Sequence, residues 1–196
     1  MRPRLFNMKR FHQFLFAVSL VALCWLAMMA VHELGHVVGA LVTGGSIERV
    51  VLYPLAISRT DVSPNPHPAI VVWLGPIFGA ILPLALFAAF PRRLTVLRNV
   101  SRFFAGFCLI ANGAYIAYGA VDGVGDCGEM LSNGTPQWVM FAFGAITIPL
   151  GLSVWHSLGS LHQFINNPPV IRQRTTYLVV SVLLLAVVLG FTLSPR

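Results

Sequence analysis

The stretch FLFAVSLVALCWLAMMAVHELGHVVGALV (residues 14–42) is one continuous apolar run that nevertheless holds three ionisable side chains. At a rise of about 1.5 Å per residue, a helix of this length can cross the ~30 Å hydrocarbon core of a bilayer. Ionisable groups at that depth are costly and by default have a function. The stretch therefore predicts a membrane helix that carries a functional site.

The composition of the 196-residue chain predicts the same class of protein. Charged residues make up 10% and hydrophobic residues 57% of the sequence, whereas a soluble domain has about a quarter charged residues. The formal net charge is +7, but the basic residues cluster at the ends of apolar runs, which is typical of membrane anchoring and not of nucleic-acid binding. We predict a multi-pass integral membrane protein that forms one domain over residues 1–196. Its expected partner is the lipid bilayer, and we expect no binding of nucleic acid.

Five apolar segments are long enough to be membrane spans, and one further segment differs in kind. The spans of this all-α fold are predicted at residues 14–42, 69–90, 103–121, 138–158 and 177–193. Residues 43–68 mix β-branched residues with prolines, which favours a short hairpin or re-entrant loop after the first helix.

Clusters of basic residues predict how the spans are oriented. They precede the first span, join the second to the third, and precede the fifth (Arg2, Arg4, Lys9, Arg10; Arg92, Arg93, Arg98, Arg102; Arg172, Arg174). If all three clusters are cytoplasmic, the five spans alternate without contradiction, with the N-terminus inside and the C-terminus outside. Residues 43–68 and 122–137 then share the opposite side of the membrane.

The segment His32-Glu33-Leu34-Gly35-His36 matches the pattern HExxH. Four residues of helix turn by about 400°, so His32 and His36 project from one face and their imidazoles can reach the same zinc ion. Glu33 lies one position on, where it can contact a metal-bound water as a general base without being a ligand. The spacing and the membrane setting together predict one bound Zn²⁺.

A catalytic zinc site needs a third protein ligand, and acidic residues are few in this chain. Three of the six lie together in the loop that follows the third span (Asp122, Asp126, Glu129). The predicted orientation places this loop on the same side as the C-terminal end of the HExxH helix. One carboxylate of this loop is therefore the expected third ligand.

These motifs resemble those of the site-2 protease-type intramembrane zinc metalloproteases. The resemblance rests on HELGH in the first span, TGG just after it (residues 43–45) and WLGPIFGA in the next span (residues 73–80). It covers most of the first 140 residues, and HELGH is its specific part. Members of that family place the metal nearer the cytoplasmic face, whereas the basic residues here predict the opposite face.

The resemblance also bears on the third ligand, which in that family is an Asp on a later membrane helix, often in an Asn-x-x-Pro…Leu-Asp-Gly setting. VDG (residues 121–123) resembles the end of that pattern, although the spacing is longer and the proline is missing. A smaller, divergent branch is more similar to GDCGEMLSNGTPQW (residues 125–138). The resemblance therefore implies Asp126 as the ligand, with Asp122 as the alternative.

The activity that the resemblance implies is zinc-dependent cleavage of membrane-embedded or membrane-proximal segments of a membrane protein or peptide substrate. In the family, a sheet-like element after the metal helix can pair with an extended substrate, and residues 46–68 are either such an element or a plain connector. Two further candidate site residues are Asn112, as an oxyanion stabiliser, and His67, which would line or gate the site. The sequence leaves the oligomeric state open.

A non-enzymatic function is the alternative. The chain would then be a membrane relative that keeps the motif to bind a metal or a partner without turnover. The intact Glu33 favours the enzyme, because binding alone needs only the two histidines and an acid.

Overall fold

The computed structural model describes residues 8–159 and 172–194, and its long helices account for all five predicted spans. In chain order, these residues form α1 (Met8–Val42), β1 (Ile47–Val51), β2 (Arg59–Val62), α2 (Pro68–Ala89), α3 (Thr95–Asp122), α4 (Asp126–Ser132), α5 (Gln137–His156) and α6 (Gln173–Leu193). All helices except the short α4 are long and apolar enough to cross a membrane. The chain is a multi-pass integral membrane protein with a mostly all-α fold.

Two helices begin earlier than the hydropathy pattern predicts. α1 begins at Met8 rather than at residue 14, and α3 begins at Thr95 rather than at residue 103. Helical hydrogen bonding continues through the polar residues at the ends of a span. A span defined by hydropathy covers only the apolar part of the helix, so it is shorter than the helix itself. The other three spans differ from their predicted bounds by about a turn or less. Arg2 and Arg4, which contributed to the predicted orientation, lie outside the described residues.

The basic first turns of α3 contact both neighbouring helices. Arg98 donates a hydrogen bond to the carbonyl of Phe90 just after α2, with an N–O distance of 2.6 Å, and Arg102 donates to the carbonyl of Ser157 just after α5, at 2.9 Å. Both guanidinium groups also lie over the ring of Phe87. The arginines that were used to predict the orientation therefore also hold α2, α3 and α5 together at one end of the bundle.

Residues 43–68 contain a β-hairpin, one of the two structures that the sequence predicts there. β1 and β2 pair in an antiparallel manner, with Val50 opposite Thr60. Both strands contact α1. The residues that connect them reach α6, where the backbone N–H of Leu52 donates to Oγ of Ser194 at 2.8 Å. The hairpin thus lies between the C-terminal ends of α1 and α6.

The buried core lies among the first five helices. One apolar cluster joins α2, α3, α4 and α5 (Val72, Ile116, Ala120, Cys127, Met130, Met140), and another joins α1 to α3 (Met28, Met29, Cys108). Glycines bring α3 and α5 into close contact: a Cβ on Gly113 would overlap the hydroxyl of Thr147, the kind of approach that small residues allow between membrane helices. In the described part of α6, by contrast, Thr176 is the one buried residue.

The hairpin and the segment that contains α4 lie at the same end of the bundle, as the alternation of spans predicts. The indole N–H of Trp73, in the first turns of α2, donates to Oγ1 of Thr135 at 3.0 Å. The side chain of Gln137 donates to the carbonyl of Ala120 at 2.6 Å. These contacts hold the turn after α4 against α2 and against the C-terminal end of α3.

Candidate metal centre

The HExxH segment lies well inside α1, and its three ionisable side chains are buried. His32 is 6% exposed, Glu33 2% and His36 5%. The ring centroids of His32 and His36 are 4.9 Å apart, so both imidazoles project from the same face of the helix, as their i, i+4 spacing requires.

Asp126, the first residue of α4, joins the two histidines. Its Oδ2 atom lies 2.7 Å from Nε2 of His32 and 3.5 Å from Nε2 of His36. One ligand atom from each of the three residues lies within 4.8 Å of the others, so the group can hold a metal ion. Asp122, the alternative third ligand, is exposed at the end of α3 and lies outside this group.

Two glycines explain why Asp126, rather than Asp122, reaches the histidines. Gly123 ends α3 with φ 63°, and Gly125 precedes α4 with φ 62°, conformations that glycine adopts without the cost paid by other residues. Between them the chain changes direction, and α4 packs against α2 and α3 with Cys127 buried. The turn therefore moves the carboxylate from the end of α3 onto the cluster.

Residues 126–132 form the helix α4, although the sequence predicts a loop there. A signal for this helix was present. Asp126 and Glu129 lie in its first turn, where acidic side chains are favoured. Cys127 and Met130, three residues apart, form its buried side. The segment is too short and too polar for hydropathy to detect.

The ring nitrogens that point away from the cluster both have hydrogen-bond partners. Nδ1 of His32 lies 2.7 Å from Oδ1 of Asn112, and Nδ1 of His36 lies 2.9 Å from the carbonyl of Val71. The amide nitrogen of Asn112 donates to the carbonyl of Cys108 at 2.9 Å, which directs its oxygen at His32. Because both partner oxygens can only accept, both Nδ1 atoms carry hydrogen, so Nε2 of each ring faces the cluster and presents a lone pair whenever the ring is neutral.

This arrangement of donor atoms requires a cation. Two imidazole lone pairs and a carboxylate oxygen repel one another at short range in a buried site, unless a proton or a metal ion lies among them. Two nitrogens and one oxygen form a donor set that zinc and other first-row divalent metals accept. Ligating histidines also typically donate their second ring N–H to an amide, carboxylate or carbonyl oxygen, as His32 and His36 do here. The residues therefore fit a bound divalent metal.

The charges on α4 agree with this assignment. Burial by itself would raise the pKa of Asp126, but the two imidazole rings beside it, which stabilise the charged carboxylate when Nε2 carries a proton, outweigh that effect and hold the pKa well below its usual range, so the carboxylate is ionised. The neighbouring thiol behaves differently, since burial raises the pKa of Cys127 to about 11. Its sulfur contacts the carbonyl of Ile116 at 3.8 Å and lies outside the group of three possible ligands.

Glycines of α2 form the wall behind the two histidines. A Cβ on Gly75 would overlap the His36 ring and lie 2.9 Å from Nε2 of His32. A Cβ on Gly79 would lie 2.7 Å from Oδ1 of Asn112. The WLGPIFGA segment therefore provides the space in which the imidazoles and the amide that orients one of them are packed.

Glu33 is held by the hairpin and lies outside the group of three possible ligands. Its Oε2 atom accepts a hydrogen bond from Oγ1 of Thr60 in β2, with an O–O distance of 2.7 Å. Thr60 was not among the residues predicted for the site, because no local pattern reveals a bond that joins different elements of the fold. Glu33 lines the same cavity as His32 and Asp126.

Two cavities of contrasting character meet at the cluster. The first has a volume of about 480 Å³ and reaches His32, Glu33 and Asp126 past mainly apolar side chains (Trp25, Met28, Met29, Leu55, Ala111). The second has a volume of about 470 Å³ and reaches His36 and Asp126 past mainly polar ones (Glu48, Arg59, Thr60, Asn65, Glu129). Ile57 and Ser58 of the hairpin line both cavities.

The two further candidates from the sequence have different positions. His67 is exposed just before α2 and lines neither cavity, so the structure does not bring it to the cluster. Asn112 is 1% exposed, and its amide is engaged by His32 and the carbonyl of Cys108. In this arrangement Asn112 orients His32, a position different from the oxyanion contact that the sequence suggested.

Comparisons of the chain with models of protein families, with curated proteins and with solved structures found no match. What the site does must therefore be inferred from its own residues and geometry.

Proposed function

We propose that the chain is a zinc-dependent intramembrane endopeptidase of the site-2 protease type, which cleaves membrane-embedded or membrane-proximal peptide segments. The observation that carries this proposal is the convergence of His32, His36 and Asp126, with ligand atoms within 4.8 Å of one another. A site of this kind, buried in a membrane helix with a carboxylate next to the first histidine, matches the requirements of metal-assisted hydrolysis.

His32, His36 and Asp126 would hold the ion through two imidazole nitrogens and one carboxylate. A zinc ion bound by three protein ligands lowers the pKa of its water toward about 7 and polarises a carbonyl oxygen. Asn112 and the Val71 carbonyl keep both imidazoles in the tautomer that leaves Nε2 free to bind. Asp126 contributes the negative charge that partly offsets the charge of a divalent ion in a buried site.

Glu33 is the general base in this proposal. Its carboxylate lines the cavity that also contains His32 and Asp126, but it is outside the group of possible ligands. It takes the proton from the attacking water and returns it to the nitrogen of the leaving amine. A 2% exposed carboxylate does so with little competition from bulk water.

The contrast between the two cavities favours a substrate that passes from apolar to polar surroundings. The apolar cavity suits a hydrophobic segment of peptide, and the polar one admits the water that hydrolysis consumes. An extended chain that passed from one to the other would cross the cluster next to Ile57 and Ser58. A helical segment must unwind before its backbone is open to attack, because its carbonyls are otherwise hydrogen-bonded within the helix.

Glu33→Gln separates this proposal from the non-catalytic alternative. Both forms would be expressed in a host cell, their zinc content measured by mass spectrometry, and new peptide termini sought in the membrane fraction. We expect zinc to be retained and Glu33-dependent cleavage to fall by about 10²–10⁴-fold, the range for loss of a general base. The termini should lie within or next to membrane segments.

Asp122→Asn is the matched control, because Asp122 is exposed at the end of α3, lies outside the group of possible ligands and lines neither cavity. It should leave both zinc and cleavage unchanged. Equal cleavage by zinc-loaded Glu33→Gln protein would contradict the proposed mechanism. If the zinc-loaded wild type yields no Glu33-dependent termini, the result would instead favour the alternative, a membrane protein that binds a metal or a partner without turnover.

A further inference from the structure

We propose that Thr60 is a positioning residue, whose hydroxyl holds Glu33 in place and connects the general base to the hairpin. The inference rests on the proposed function of Glu33, although the contact itself does not. Thr60 lies on β2, opposite Val50, and its Oγ1 atom is 2.7 Å from Oε2 of Glu33.

A buried carboxylate needs hydrogen-bond donors, since an ionised group away from water is costly unless it is paired. Glu33 is 2% exposed. Over residues 8–159 and 172–194, Thr60 is the residue whose side chain donates a hydrogen bond to it. Hydrogen bonds to charged groups are roughly twice as strong as neutral ones. The Thr60 hydroxyl therefore has a large share in deciding where the Glu33 carboxylate points.

Other threonine hydroxyls in the chain bond in a different way. Those of Thr43, Thr147 and Thr192 donate to carbonyls four residues earlier, on or next to their own helices. Such bonds are local and common for threonine in helices. The Thr60 bond instead joins two elements of the fold and ends on a carboxylate, which is the arrangement expected of a residue that orients a functional group.

The hairpin that carries Thr60 also forms part of both cavities, through Ile57 and Ser58. A peptide in either cavity therefore contacts the same hairpin that holds the base. Through the Thr60 bond, the orientation of Glu33 depends on the position of β2.

Hydrogen exchange of residues 47–62 tests the bond without reference to activity. The full-length, zinc-loaded protein in nanodiscs would be compared as wild type, Thr60→Val, Thr60→Ser, Glu33→Gln and Glu33→Ala. Serine keeps the donor, so Thr60→Ser should exchange like the wild type, whereas glutamine keeps only a neutral and weaker acceptor, so Glu33→Gln should exchange at a rate between the wild type and Glu33→Ala. Thr60→Val and Glu33→Ala should each speed hairpin exchange by on the order of tenfold, as loss of one hydrogen bond to a charged group implies.

The double variant Thr60→Val/Glu33→Ala provides the decisive comparison. If the two residues act through one bond, it exchanges no faster than the faster single variant, because each change has already removed the same interaction. Additive effects, or Thr60→Val exchange equal to that of the wild type, would overturn the proposal. Thr43→Val, which removes a local hydroxyl bond close to the hairpin, is the control and should change nothing.

Kinetics with a peptide identified from its Glu33-dependent termini test the consequence for the reaction. Thr60→Val should lower kcat on the order of tenfold with KM and zinc content unchanged, and Thr60→Ser should restore kcat. A higher KM at constant kcat would mean that Thr60 contacts substrate, and would overturn the positioning role. If no cleavage is found at all, the proposed function fails, while hydrogen exchange still decides whether Thr60 holds Glu33.

Discussion

The two histidines and the glutamate between them are neighbours in sequence but are held by different parts of the molecule. His32 and His36 lie against α2 and α3, where Asn112, the Val71 carbonyl and the wall at Gly75 fix both rings. Glu33 is instead hydrogen-bonded to the two-stranded hairpin through Thr60.

The two supports differ in how firmly they are packed. α2 and α3 share a buried apolar cluster with α4 and α5. The hairpin rests on α1 and on α6, and α6 has one buried residue in its described part. Elements with few buried contacts open more readily than a packed core. The difference predicts that His32 and His36, the candidate ligands, are held rigidly, whereas the support of Glu33, the proposed base, can adjust.

Removal of a candidate ligand should cause the largest loss of zinc affinity. Asp126→Ala leaves two imidazoles to hold the ion, so zinc affinity should fall by more than about 100-fold, beyond what loss of an outer hydrogen bond causes. Asp122→Ala serves as the control and should bind zinc normally, because Asp122 is exposed outside the cluster. Metal content measured on both purified variants decides between them, and loss of zinc in Asp122→Ala alone would reverse the ligand assignment.

The next largest effect should come from a side chain added to the glycine wall behind the two histidines. In Gly75→Ala the added methyl would overlap the His36 ring, and such overpacking typically costs about 1–3 kcal/mol. We expect lower thermal stability together with weaker zinc binding. Gly39→Ala, whose Cβ would lie 3.1 Å from Cα of Val71 and away from both imidazoles, should be destabilised less and keep its zinc. Equal zinc affinity in the two variants would contradict the role given to Gly75.

A smaller effect is expected when the orientation of one ring is lost. Asn112→Ala removes the acceptor for Nδ1 of His32, and changes of this kind typically cost about 10–100-fold in metal affinity. Thr147→Val is a suitable control, because it removes a buried hydroxyl on α5 that bonds within its own helix. Competition titrations with a zinc chelator measure both. If Asn112→Ala bound zinc like the control, Asn112 would not orient His32.

The smallest effect should come from the exposed face of the hairpin. Asp61 accepts hydrogen bonds from Arg49 and Arg59, at 2.9 Å and 3.2 Å, and the hydrogen bond from Arg49 is the main cause that holds its pKa below the usual value. Because the pKa is lower in the folded state, the stabilisation is present at neutral pH and is lost as the pH falls below about 4. Exposed ion pairs contribute little and are screened by salt.

Asp61→Asn should therefore speed hairpin exchange only slightly at pH 7 and leave zinc affinity unchanged. Added salt should remove the difference from the wild type. A drop in zinc affinity as large as that of Asn112→Ala would show that the hairpin supports the candidate ligands as well as Glu33. The contrast between the support of the histidines and that of Glu33 would then disappear.

Much of the fold could be predicted because its signals are local. Each span is a run of apolar residues, and the HExxH spacing places two imidazoles on one helical face whatever surrounds them. The alternation of spans was enough to place the hairpin and the segment of α4 at one end of the bundle. Helix ends were less predictable: α3 begins eight residues before its apolar run, since arginines such as Arg98 find carbonyl partners on neighbouring elements.

The sequence by itself determined the membrane class, the number of spans and the three polar residues of α1, because these depend on composition and on the period of a helix. Only the tertiary structure placed Asp126, and not Asp122, beside the two histidines, gave Asn112 its position beside His32, and brought Thr60 to Glu33. Each of these depends on a direction that the chain takes far from the motif. The turn at Gly123 and Gly125 moves one carboxylate onto the cluster and leaves the other at the end of α3. Such contacts join residues 94, 80 and 27 positions apart, and no local pattern encodes them.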